Sequence, residues 1–152
     1  MKQSPADKRI TERMAPGVLC REGFLGADRR PLAEILDADR SAVVGLGVTH
    51  EQLAERLDEA LRKAVAALGT PVEIRPGLTA VFHEGMGRIP CPWGHGIFPK
   101  GEVELADERT GETLRFTPLS VHLIGEHGFY QGRGCRYRID PESLVPLFGP
   151  TG

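Results

Sequence analysis

Two short polar clusters hold most of the side chains that could bind a metal or move protons near neutral pH. The first is the proline-flanked segment Pro90–His95 (Pro-Cys-Pro-Trp-Gly-His), and the second is His122–His127 (His-Leu-Ile-Gly-Glu-His). Together they contain three of the five histidines and one of the three cysteines. Thiolate and imidazole groups suit zinc, and four of them form a closed tetrahedral site. The pattern therefore predicts a zinc site with the ligands Cys91, His95, His122 and His127.

The role of Cys91 has two other interpretations. The cysteine can be a small buried hydrophobic residue, with the histidines serving as hydrogen-bonded polar residues. Alternatively, it can be a nucleophile with His122 as its base, although no nucleophile motif surrounds it. The spacing is compatible with the metal interpretation, because a Cys-x3-His pair can approach an ion from a tight turn and a His-x4-His pair from a helix end.

Glu126 is the acidic residue of the second cluster. It is adjacent to His127 and four residues from His122. A helix and a strand would both place His122 and Glu126 on one face. Beside a zinc ion, this carboxylate would act as a general base or hydrogen-bond to a ligand histidine. The sequence thus predicts Glu126 as the catalytic residue of a metal-dependent hydrolase. The alternative class is a non-catalytic ligand-binding or protein-interaction module with a structural metal or none.

A glycine-rich loop, residues 128–134, follows the second cluster. Its glycines allow a ligand to approach the backbone closely, and Arg133 offers a planar set of donors for a phosphate, carboxylate or sugar. Together with the aromatic surface of Trp93, Gly132 and Arg133 are the predicted ligand-binding residues. The loop lacks the lysine and the spacing of a phosphate-binding P-loop. The simpler alternative is a turn that leads into the last strand.

Composition and charge are those of an ordinary globular domain. The 152 residues are enough for one core, and 40% are hydrophobic and 26% charged. A net charge of −2 gives no general attraction to nucleic acid or to an anionic membrane. The first residues lack the apolar core of a signal peptide, and three widely spaced cysteines argue against a disulfide framework. We therefore expect a cytoplasmic protein. The predicted partner is a small-molecule ligand, because of the glycine-rich loop. Homo-oligomerisation is left open.

The elements that position the clusters are predicted as helices first and strands later. Thr49 and Gln52 have the spacing of a capping box, and an apolar stripe predicts a helix over 50–68. Shorter helices are predicted over 28–37, with Asp28 as the cap, and over 141–147. Residues 118–127 are open to a helix or a strand, and Thr117 with Pro118 as a start and Gly128 as a stop favour the helix. Strands are predicted over 42–44, 72–74, 78–82, 102–105, 113–116 and 136–139, with a hairpin turn at 107–111. Residues 1–15 lack periodic apolar positions, which predicts a flexible tail. This order favours an α+β fold with N-terminal helices on a C-terminal antiparallel sheet, in a single domain over 16–152.

Overall fold

The computed structural model describes residues 4–148, which form five helices and a four-stranded antiparallel sheet. The helices are α1 (Pro5–Arg13), α2 (Leu32–Gly45), α3 (His50–Ala66), α4 (Pro118–His127) and α5 (Pro141–Leu147). The strands are β1 (Val72–Arg75), β2 (Leu78–Pro90), β3 (Ile97–Asp107) and β4 (Thr113–Phe116), in the order β1-β2-β3-β4. The predicted single α+β domain is confirmed. No helix within these described residues is long and apolar enough to cross a membrane.

Helix α3 forms as predicted and packs against α4 and β2. Thr49 and Gln52 make both hydrogen bonds of the capping box. The two expected i,i+4 ion pairs on the wet face are present. The helix ends slightly earlier than predicted, since Leu68 is 89% exposed and has a positive φ of 52°. The buried face of α3 consists of Leu53, Ala54, Leu57, Ala60 and Ala64.

The N-terminal region differs from the predicted tail, because residues 5–13 form helix α1. Ser4 caps this helix by accepting a hydrogen bond from the Asp7 N–H. Ile10 and Met14 are buried, with 8% and 0% exposure. These two side chains, four residues apart, are sufficient to fix one face of a short helix. Residues 1–3 of the predicted tail lie outside the described range, as do residues 149–152 of the predicted domain.

The prediction of a helix over 28–37 followed by a strand over 42–44 is wrong, since one helix, α2, covers most of this region. Asp28 does not cap it. Instead, the Asp28 carboxylate accepts hydrogen bonds from the Arg30 side chain at 2.9 and 2.7 Å. Val43 lies in the core at helical spacing from the buried residues Ile35 and Asp39. Packing of this face therefore overrides the strand preference of the β-branched residues.

Strands β2 and β3 form a hairpin, and both strands are longer than predicted. Its ladder runs from Leu78 opposite Asp107 to Pro90 opposite Ile97, with a register shift between Glu84 and Arg88. The connection over residues 91–96 lies at the far end of this hairpin. The predicted hairpin, which joins β3 and β4 through the turn at 107–111, is confirmed. The fold thus places the first polar cluster at a hairpin tip.

The predicted strand over 136–139 is wrong, because residues 128–140 form a loop. Arg138 makes two hydrogen bonds to the buried Asp39 carboxylate, at 2.7 and 2.9 Å. It also donates to the Gln131 carbonyl at 2.9 Å. This side chain, 12% exposed, ties the loop to α2 in place of a sheet ladder.

The apolar side chains form two clusters. The larger one contains buried side chains of α3, α5 and the sheet. The smaller one joins α1, α2 and α4 with the tip of the β2–β3 hairpin, and it includes Cys91. Helix α4 contributes to both, with Ile124 in the larger cluster and Leu119 and Leu123 in the smaller. Helix α4 and the hairpin tip are therefore held side by side.

Candidate metal centre

A tight turn fixes the position of Cys91 directly after β2. Its N–H donates to the Gly96 carbonyl at 2.9 Å, and its carbonyl accepts from the Gly94 N–H at 2.8 Å. Arg13 of α1 donates through Nε to the Pro92 carbonyl. These bonds fix the backbone from which the thiol side chain projects.

Helix α4 presents the second cluster, and it begins and ends where the sequence predicts. Thr117 caps it by accepting from the Ser120 N–H, and Pro118 is its first residue. Gly128 ends it with a left-handed φ of 61°. His122 and His127 are both half-buried on the side of the helix that faces the hairpin tip.

Cys91, His122 and His127 converge on one point. One candidate ligand atom from each residue lies within 4.8 Å of the other two. Cys91 Sγ is 3.5 Å from His127 Nε2, and the Trp93 N–H donates to the same sulfur at 3.4 Å. His122 Nε2 is buried and, among the described residues, makes no hydrogen bond. Burying a polar atom without a partner costs free energy, which a cation at this point would offset. The three residues can therefore bind a metal ion.

Aromatic side chains surround the two histidines. The Trp93 ring stacks on His127 with centroids 4.2 Å apart and planes at 7°. The Phe98 ring lies 4.6 Å from that of His122, and Phe129 meets Trp93 edge-on at 5.6 Å. These contacts restrict the orientation of both imidazoles.

The electrostatics of the cluster favour neutral imidazoles. Burial, assisted by the neighbouring His122 and His95, lowers the pKa of His127 from 6.5 to about 4. Burial also lowers the pKa of His122, while the charge of Glu126 acts in the opposite direction. Both histidines are thus unprotonated near neutral pH, and an unprotonated nitrogen is what a metal requires.

His95, the fourth predicted ligand, lies beside the cluster and not within it. Its side chain is exposed, and its ring centroid is 4.9 Å from that of His127. The His122 ring lies 5.2 Å from the same imidazole, so both rings flank His127. Gly94 and Gly96, on either side of His95, have positive φ values of 80° and 121°. The structure therefore brings three of the four predicted ligands together and leaves the fourth next to them.

Glu126 is exposed on α4, one helical turn after His122. It lines a groove of about 490 Å³ together with His127 and His50. The carboxylate is close enough to His122 to influence its pKa. It is thus a neighbour of the cluster, and it is not among the three convergent residues.

The two predicted ligand-binding residues of the glycine-rich loop lie elsewhere. Gly132 is buried, and a Cβ atom there would be 2.2 Å from the Leu25 carbonyl oxygen. Its lack of a side chain thus serves close packing of two backbone segments. Arg133 is exposed, and its N–H donates to the Asp28 carboxylate at 3.1 Å. Neither residue lines the groove that contains Glu126.

Two other residues that shape this region, Phe98 and Arg13, were not predicted from the sequence. Phe98 covers His122 because β3 begins further toward the turn than the pattern predicts. Arg13 reaches the turn because the N-terminal segment folds into α1. In the sequence, Phe98 is only an aromatic residue near a turn and Arg13 only a basic residue, so neither could be assigned to the site.

Together, these features define an α+β protein with a Cys-His-His cluster where the tip of the β2–β3 hairpin packs against α4. Comparison of the chain with protein-family models, curated proteins and solved structures found no match.

Proposed function

We propose that the protein binds a zinc ion through Cys91, His122 and His127, with His95 as the fourth ligand. The observation that carries this proposal is the convergence of one thiol and two imidazoles around a buried, unpartnered His122 Nε2. One sulfur and three nitrogens form a tetrahedral set that zinc favours. His95 needs only a local movement of its exposed side chain and glycine-flanked backbone to join them.

The position of the cluster supports a structural role for the ion. Cys91 belongs to the hairpin tip and the two histidines belong to α4, so a shared ion links elements that are distant in sequence. Cys91 is 2% exposed, and aromatic rings cover both helix histidines. Binding free energy at such a site adds to the free energy of folding. This favours a non-catalytic binding or interaction module whose metal stabilises the fold.

A hydrolase is the second candidate, and the placement of Glu126 favours it. The carboxylate lies one turn from His122 and opens onto a groove that it shares with His127. If His95 stays outside the coordination sphere, three protein ligands leave one position for water, whose pKa zinc lowers. Glu126 would then accept the proton of that water, and the groove would hold an ester, phosphoester or amide substrate.

Metal content tests the proposed centre. We expect about one zinc per chain by elemental analysis of protein purified without a polyhistidine tag, with zinc lost in Cys91→Ser and His127→Ala. The matched controls are Cys20→Ser and His83→Ala, since neither residue belongs to the cluster. Equal metal content in all five proteins, or none in the wild type after zinc addition, would contradict the proposal.

Cobalt substitution distinguishes the two candidates. A tetrahedral cobalt spectrum that changes when His95→Ala replaces the wild type supports His95 as a ligand and a closed site. A spectrum that is unchanged in His95→Ala, but responds to added azide, supports an open position. In the second case, wild-type turnover of a hydrolytic substrate should be abolished in Glu126→Gln while the zinc content stays the same. Undiminished turnover in Glu126→Gln would exclude Glu126 from the mechanism, and no turnover by the wild type would exclude the hydrolase candidate.

A further inference from the structure

A cavity of about 670 Å³ lies between residues 20–26, the middle of the β2–β3 hairpin and residues 131–137. None of the three convergent metal-binding residues lines it. Its volume is in the range of sites that hold small molecules, about 300–1,000 Å³. It therefore has the size of a second binding site.

The irregular middle of the hairpin forms one wall of this cavity. The register of β2 and β3 shifts between Glu84 and Arg88. Gly101, opposite this bulge, has a φ of 147°, and a Cβ atom there would lie 2.7 Å from the Phe82 ring. Bulges of this kind redirect a strand and are common next to functional sites. The apolar lining comes from Phe24, Ile89 and Leu119.

Gln131 is the exceptional residue of the lining. It is 5% exposed and has a left-handed φ of 68°, a conformation that side-chain-bearing residues rarely adopt. Its backbone is held in place because Arg138 donates to its carbonyl and the next N–H, that of Gly132, donates to Phe24, both at 2.9 Å. Non-glycine residues in this conformation cluster at ligand-binding and catalytic sites.

The side-chain amide of Gln131 makes no hydrogen bond within residues 4–148. Its polar atoms are not fully enclosed by the protein, so they remain accessible. Because the residue is nearly buried and lines the cavity, the cavity is where its amide can meet a partner. An amide offers one acceptor and two donors in a plane, and it forms paired hydrogen bonds with a molecule that offers the complementary pair.

The charges around the cavity are balanced. Glu102 is already engaged by Arg136 at 3.0 Å and by the Tyr137 hydroxyl at 2.9 Å. The other charged lining residues include two bases and two acids, Arg21, Lys100, Glu22 and Glu84. This balance favours an uncharged ligand over a phosphate or a polyanion.

We propose that this cavity binds an uncharged, planar small molecule with an amide-like edge, of the size of a nucleobase or an aromatic carboxamide. The ring packs on the apolar lining, and the edge forms paired hydrogen bonds with the Gln131 amide. The metal centre plays no part in this interaction.

Uracil, adenine and nicotinamide are suitable probes, observed by saturation-transfer NMR with the full chain. We expect saturable binding of at least one of them, weakened about tenfold or more in Gln131→Leu. Gln131→Gly should also lose binding while keeping or raising the melting temperature, because glycine adopts this φ without strain. Glu55→Gln, an exposed change on α3, is the matched control and should bind as the wild type does.

The location of the bound probe can be checked with the two half-buried cysteines that line the cavity, Cys20 and Cys135. The bound probe should slow alkylation of Cys20, followed by peptide mass spectrometry, in the wild type but not in Gln131→Gly. The proposal is overturned if none of the three probes binds saturably at millimolar concentration. Equal affinity of the wild type and folded Gln131→Gly would overturn it as well.

Discussion

Linkage between zinc and stability gives the sharpest prediction for the Cys91–His122–His127 cluster. An ion that binds only the native state stabilises it by RT ln(1 + [L]/Kd), which is about 2.7 kcal/mol at a free zinc concentration of 100 Kd. For a chain of this size, 1 kcal/mol shifts the melting temperature by roughly 2–4 °C. Zinc addition should therefore raise the melting temperature of the wild type by about 5–11 °C.

The perturbation that tests this linkage is Cys91→Ser. Serine keeps the shape of the side chain but replaces the soft thiolate, so the zinc-dependent shift should fall to a small fraction of the wild-type value. The quantity to compare between the two proteins is the zinc-dependent shift and not the melting temperature itself. A serine hydroxyl at a position that is 2% exposed lowers the stability even without zinc.

The assay is calorimetric unfolding of metal-free protein in a series of buffered zinc concentrations. Cys20→Ser is the control, since this half-buried cysteine lies outside the cluster and should leave the shift unchanged. A wild-type melting temperature that is independent of zinc, in protein shown to be free of metal at the start, would refute the reasoning. An equal loss of the shift in Cys20→Ser would do the same.

Three further predictions concern the pH dependence of stability, the cap of α4 and the Arg138–Asp39 ion pair. In metal-free protein the unfolded chain binds more protons between pH 6.5 and about 4, because burial lowers the native pKa of His127. Stability to urea should thus fall as the pH is lowered through this window, and less steeply in His127→Gln; identical slopes would contradict this. Thr117→Ala removes the cap of α4 and should cost about 0.5–2 kcal/mol in urea unfolding and weaken zinc binding; unchanged stability would argue against the cap. Arg138→Met leaves the Asp39 carboxylate buried and unpaired, which should lower the free energy of unfolding by about 3–5 kcal/mol. Adding Asp39→Leu should recover part of this loss. If the losses from the two changes simply add, the two side chains do not stabilise each other.

Local signals at the helix ends were enough to predict α3 and α4, although the cap that Ser4 forms on α1 was missed. Thr49 with Gln52 and Thr117 with Pro118 start α3 and α4 where predicted, and Gly128 ends α4. Caps and left-handed glycines act over three or four residues, so they can be read from the chain alone. The same holds for the turn that joins β3 and β4.

Elements that depend on distant partners were predicted poorly. α1 forms where two buried side chains anchor it, and α2 continues through a β-branched segment because Val43 packs in the core. Residues 136–139 form a loop outside the sheet, where Arg138 binds Asp39, which is 99 positions away in the chain. Such contacts outweigh local propensity, whose differences are mostly below about 1 kcal/mol per residue.

The same division holds for the candidate site. The sequence by itself identified the residue types of the candidate site, because cysteine and histidine are residue types that can bind a transition metal at neutral pH. It also predicted that His122 and Glu126 share one helix face, because they are four residues apart, and the charge of Glu126 does act on the pKa of His122. Only the tertiary structure decided that Cys91 meets His122 and His127 while His95 stays beside them. That outcome depends on how far the β2–β3 hairpin extends and where its tip lies against α4, which packing between distant segments determines.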